Sequence, residues 1–182
     1  MAFMEDFLSK NEDLWRRERA CLPMARLRPA MDGALLVPGC RVPGYAFWRA
    51  LPFEGAPEGV SGWAAARGVA LHPAVAEYLS AWRRYEIWFR FERRLFQAPP
   101  VTLSQPPLRA LSESRYAWEH ASGRPFSVTV AATADDGEPL VLAADAATAK
   151  VALVRLYTDE ALMRTLWTLD RFLQGARLEV PK

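Results

Sequence analysis

The chain reads as an α+β protein built on one mainly antiparallel sheet, with room for a mixed pair, flanked by helices. Three observations predict this class. The elements follow in the order helix, strands, helix, strands, helix, meander, helix. Strand-like runs are joined by turn-sized connections. The region from residue 126 to 157 holds three such runs in succession, which is a meander, and hairpin-linked strands make an antiparallel sheet.

The elements follow in order. Phe3, Phe7, Leu14 and Trp15 recur near the helical period, so Phe3 to Cys21 is a helix, stopped by Pro23, with residues 12–19 as its solvated face. From Pro23 to Pro43, Pro and Gly punctuate the chain. Asp32-Gly33 is a turn there, and Ala34 to Val37 a short strand. Tyr45 to Ala50 has strand composition, and Leu51-Pro52-Phe53 ends it. Glu54 to Gly62 is a loop, and Trp63 to Arg67 makes one helical turn. His72-Pro73 opens a helix whose apolar face is Val75, Tyr78, Leu79 and Trp82.

Residues 84–96 change period. Tyr85, Ile87, Phe89, Phe91 and Leu95 alternate with Arg84, Glu86, Trp88, Arg90, Glu92 and Arg94. This predicts one strand with an apolar odd face and a charged even face. A continued helix also fits Trp82, Tyr85 and Phe89, but the alternation is longer. Val101 to Ser104 is a further strand, and Pro106-Pro107 begins a helix through Trp118 to Gly123. The meander comprises Phe126 to Ala132, Pro139 to Ala143 and Val151 to Tyr157, with turns at Asp136-Gly137 and residues 145–148. Thr168 then caps a last helix, Leu169 to Gln174, ended by Gly175.

Composition narrows the function. The 182 residues are 51% hydrophobic and 12% aromatic, enough to bury a core within one domain spanning 1–182, its N-terminal helix within 1–22. A net charge of +2, from 23 basic and 21 acidic residues, supplies no large field for nucleic acid or an anionic membrane. Only Lys10, Lys150 and Lys182 are lysine; the arginine excess fits a codon bias, and arginine is also the better interface residue. No signal peptide or membrane-length apolar run is visible, which makes the cytoplasm the expected compartment and stable membrane insertion unexpected. Cys21 and Cys40, the only cysteines, are expected as reduced core residues.

Chemistry is sparse. His72 precedes a helix-starting Pro and is expected to cap it. His120 falls near a helix end, where a cation suits the dipole. Neither has metal-ligand spacing, and the nucleophile-elbow, phosphate-loop and dinucleotide fingerprints are absent. The acidic run Asp135-Asp136-Gly137-Glu138 reads as a turn. No catalytic residue, metal or cofactor is expected, although scattered residues can assemble a site. The strongest candidate is a partner-binding face formed by Arg84, Glu86, Trp88, Arg90, Glu92 and Arg94, because Trp and Arg dominate binding hot spots. An outer strand kept soluble by mixed charges has the same composition.

The aromatic run Phe47-Trp48-Arg49-Ala50-Leu51-Pro52-Phe53, the opening Leu71-His72-Pro73 with Tyr78, the turn around Asp145 with the strand from Val151 to Leu156, and the tail from Leu166 to Leu173 resemble the SUKH superfamily. The likeness is nearest to its branch of SecY-interacting Syd proteins and immunity proteins. The resemblance implies an α+β sheet flanked by helices and a protein that binds other proteins without catalysis. It implies a bacterial immunity protein that occludes the active site of a toxin, or alternatively a regulator that binds cytosolic loops of SecY. The SecY-binding members meet those basic loops with an acidic surface; this chain is net basic, which favours the immunity role. A small enzyme of another class is the remaining alternative.

Overall fold

A computed structural model of the protein describes residues 2–54, 60–65, 68, 70–103, 127–155 and 161–181. The α+β expectation holds. Among the described residues, helices α1 (Phe3–Arg19), α2 (Val60–Ala65), α3 (Pro73–Ser80) and α4 (Leu169–Gly175) accompany twelve strands. Seven strands form the main sheet: β6 (Ile87–Phe91), β7 (Arg94–Ala98), β8 (Ser127–Thr133), β9 (Leu140–Asp145), β10 (Lys150–Arg155), β11 (Ala161–Thr168) and β12 (Arg177–Leu178). Their spatial order is β11-β10-β9-β8-β7-β6-β12, and every described pair is antiparallel. A small sheet has the order β1 (Met24–Arg26), β3 (Tyr45–Trp48), β2 (Leu36–Val37). A two-stranded ribbon pairs β4 (Leu51–Pro52) with β5 (Trp82–Arg83).

The first helix forms where its periodicity placed it, and Phe3, Phe7, Leu14 and Trp15 are all buried. Ala20, in the left-handed conformation (φ 52°), ends it. In α3, the Ala74 N–H donates to His72 Nδ1 (3.2 Å), so His72 is the N-cap and Pro73 the first helical residue. Helices α1, α3 and α4 pack on one sheet face, where Phe7, Val75, Phe89, Phe96, Leu142 and Phe172 share a continuous core. Val141, Ala143, Ala152 and Val154 form a separate cluster from the alternate positions of β9 and β10, as the two-residue strand period requires.

Several local expectations need correction. Ala34 to Val37 is not wholly strand: Gly33–Leu35 is a 3-10 turn, started by the Asp32 carboxylate accepting from the Ala34 N–H (3.2 Å). The aromatic run at 45–50 stops at Trp48, and Leu51 begins the ribbon strand. Trp82 belongs to that ribbon, not to α3. Val101 makes an isolated bridge to Arg84 in place of a strand. Strands β11 and β12 were not anticipated. The helix expected from Pro106 to Gly123, with His120, lies outside the described residues.

The largest correction concerns residues 84–96. They form a hairpin of β6 and β7, closed by the two-residue loop Glu92-Arg93. Both loop residues have positive φ (47° and 65°), the type I′ geometry that matches strand twist. Neither is a residue that favours it, and each left-handed side chain costs about 1–2 kcal/mol. The hairpin also inverts parity. Because Phe89 pairs with Phe96 and Ile87 with Ala98, odd residues of β6 and even residues of β7 share the core face.

The hairpin's far end is fixed to the turn after β8. Arg94 Nε and Nη2 donate to the Asp135 carboxylate (3.1 and 2.9 Å), and the Leu95 N–H donates to Asp135 Oδ2 (3.2 Å). The donated hydrogen bonds from Arg94, foremost, hold the Asp135 carboxyl below its ordinary pKa.

Two predictions follow from this hairpin. Replacing Glu92→Asn together with Arg93→Gly should raise unfolding free energy by about 1–2 kcal/mol in urea titrations; a loss would contradict the turn assignment. Asp135, with its folded pKa depressed, contributes stability that is present above the unfolded carboxylate value of about 3.9 and disappears as pH falls through the folded value. The urea midpoint of the wild type should therefore exceed that of Asp135→Asn at neutral pH and converge on it in acid. Parallel pH profiles would remove the linkage.

Candidate partner-binding cleft

The six residues of the expected binding face do not stay together. Arg84 is fully buried, with 0% of its surface exposed, and precedes β6. Its guanidinium lies over the Tyr78 ring, 4.6 Å from the centroid, and none of its three nitrogens makes a hydrogen bond of normal geometry among the described residues. Burial, the dominant influence, lowers its pKa from the ordinary arginine value. Glu92 sits in the hairpin loop, and Arg94 is committed to Asp135 at the sheet's end. Arg90 points outward but is paired with Glu179 of the C-terminal tail (Nε to Oε1, 2.8 Å), beside the Glu179 N–H that donates to the Trp88 carbonyl (2.9 Å).

Glu86 and Trp88 are the two that the fold brings to one place. On the outer face of the hairpin Trp88 pairs with Gln97, and both line a cleft of about 930 Å³ that Glu86 also enters. The cleft forms because the small sheet stands off from the main sheet. The β1 and β3 residues Met24, Ala25 and Phe47 supply one wall, α1 contributes Trp15 and Arg19, and Cys21 follows just after the helix. Its size lies at the upper end of the range for ligand pockets, and its floor is mainly apolar and aromatic.

Four guanidiniums, from Arg19, Arg26, Arg28 and Arg41, meet a single lining carboxylate, that of Glu86. Arg28 Nη2 forms an ion pair with Glu86 Oε1, which ties the chain after β1 to the main sheet. Arg19, Arg26 and Arg41 have no acidic partner among the described residues. Sequence periodicity missed them because they lie at a helix end, a strand end and a Pro- and Gly-punctuated loop, where no repeat marks a face. The closely spaced Arg26-Leu27-Arg28 was the one available signal.

Acid–base equipment does not converge here. The His72 imidazole is engaged as a helix cap, and its backbone N–H donates to the Ala146 carbonyl (2.8 Å), outside the cleft lining. Cys21 and Cys40 are free, half-buried thiols, and Cys21 packs against the small cluster of Leu14, Trp15 and Val180. Burial, foremost, pushes the Cys21 thiol up, which lowers its thiolate fraction. Cys40 Sγ contacts Met24 Sδ at 3.9 Å. Among the described residues, no group of His, Cys, Asp and Glu is arranged to hold a metal ion, and no helix is long and apolar enough to cross a membrane.

Neither a scan against protein-family models nor a search of curated proteins returned a significant match.

Arg84 yields a stability prediction separate from binding. A buried cation without hydrogen bonds costs several kcal/mol, which a cation–π contact of about 2 kcal/mol offsets only in part. Arg84→Met, which keeps length and removes charge, should leave unfolding free energy unchanged or raise it by about 1–4 kcal/mol. A clear loss in equilibrium denaturation would mean that the guanidinium has a compensating partner.

Proposed function

We propose that the chain is a non-catalytic protein-binding domain of immunity type, which neutralises a partner toxin by seating part of it in the Trp88 cleft. The observation that carries the binding reading is Trp88 itself. It is a large, half-buried ring on a rigid hairpin, in an apolar cleft rimmed by arginine, and these residue types concentrate binding energy when a partner excludes water from them. The immunity assignment adds the sequence resemblance to the SUKH proteins, and the expected action is occlusion of the partner's active site.

A regulator of the SecY translocon is less well supported. Basic cytosolic loops would meet four guanidiniums and one carboxylate, and the carboxylate is already paired. An enzymatic reading lacks a converging acid–base pair at the cleft. The domain needs no cofactor to act by occlusion.

The test is growth rescue on co-expression with a toxin encoded next to this chain. Wild type should restore growth, and Trp88→Ala should abolish rescue while keeping the unfolding free energy within about 1 kcal/mol of wild type, because the side chain lies outside the main core. Rescue by Trp88→Ala at wild-type level would place the interface elsewhere. Stable co-purification with SecY, without rescue, would overturn the immunity role.

A further inference from the structure

We propose that the cleft takes a linear acidic segment of the partner carrying an apolar anchor, its carboxylates held by Arg19, Arg26 and Arg41 and its anchor resting on Trp88 and Phe47. This rests on the reading of the cleft as the binding site and adds the chemistry of its occupant.

Charge carries the first half. Arg28 and Glu86 neutralise each other, so the remaining three guanidiniums are uncompensated among the described residues and set the sign of the cleft. Guanidinium binds carboxylate bidentately and is weakly hydrated, so it gives up water to an incoming acid more readily than an ammonium does. The three are contributed by separate places in the chain: the last turn of α1, the end of β1, and the loop between β2 and β3. Such spacing suits carboxylates distributed along a chain better than a single compact anion.

Apolar surface carries the second half. Of the large hydrophobic side chains exposed among the described residues, Val42 and Tyr45 stand at this one site. Val42 directly follows Arg41 in the chain, and Tyr45 opens β3. Apolar surface therefore continues from the floor onto the lip, past where a small ligand would end. An extended segment covers both, placing alternate side chains in the cleft and on its rim.

Glu86 makes the selection two-sided. With Arg28 beside it, its charge is cancelled and an acidic segment enters. A basic segment would have to compete for Glu86 while meeting three unpaired guanidiniums.

The experiment uses the full chain and four probes in calorimetric titrations. One is the blocked peptide Asp-Glu-Leu-Phe-Asp-Glu; the second has Lys at every acidic position, the third Ser in place of Leu and Phe, and the fourth is succinate. The acidic apolar peptide should bind at least about tenfold tighter than each of the others, and its affinity should fall as salt rises. Arg26→Glu with Arg41→Glu, both at exposed positions, should weaken it by about tenfold or more without moving the urea midpoint. Equal binding of the Lys peptide, or undiminished binding by the double variant, overturns the charge assignment. Equal binding of succinate or of the Ser peptide overturns the anchored-segment assignment, and absence of saturable binding overturns both. If Trp88→Ala still abolishes rescue while the acidic peptide fails to bind, the site stands and only its proposed occupant falls.

Discussion

Phe89 meets three aromatic rings at once. It stacks on Phe96 across the hairpin (6.1 Å, 17°) and takes Phe7 of α1 and Phe172 of α4 edge-on at 6.5 and 6.2 Å. Each ring comes from a different element, so one fully buried side chain joins α1, α4 and the β6–β7 hairpin of the main sheet. Such ring pairs add about 0.5–1.5 kcal/mol beyond the area they bury. With Phe89 fixed inward, strand alternation turns Trp88 to the opposite face. A one-residue slip would bury Trp88 among the helices and place Phe89 in the cleft.

The cleft depends on a second constraint, the stand-off between the small sheet and the hairpin. Trp48 ends β3 on the core side, where it meets Tyr85 edge-on at 6.0 Å; its neighbour Phe47 faces the cleft. Alternation thus splits β3 as it splits β6, one aromatic for the core and the next for the binding surface. Arg28 and Glu86 bridge the two walls. Opposed aromatic surfaces are held apart by backbone and ion pair, so the cleft exists before a partner arrives. That lowers the ordering cost of binding.

The sequence disclosed the elements whose signal is periodic. Phe3, Phe7, Leu14 and Trp15 announce α1, His72-Pro73 announces the start of α3, and the turns at residues 136–137 and 145–148 delimit the meander. It concealed the hairpin because Glu92-Arg93 carries no turn composition. The positive φ values there are imposed by the pairing of Phe89 with Phe96, a tertiary demand that overrides local preference. Arg84 was misplaced for a related reason: it precedes β6, and a charged residue in an alternating run reads as exposed when its backbone is instead bridged to Val101. Of the candidate face, Glu86 and Trp88 were legible as partners. The arginines opposite them were not, since a surface assembled from irregular segments leaves no period to read.

A second surface competes for the role of interface. Strand β11 forms an edge of the main sheet and exposes Leu166 (91%) and Trp167 (52%). Indole N–H resonances in a two-dimensional NMR titration separate the two directly, once Trp88→Phe and Trp167→Phe have assigned them. Addition of the acidic apolar peptide should shift the Trp88 resonance progressively to saturation and leave Trp167 in place. A shift confined to Trp167 would move the binding site to the sheet edge and contradict the account.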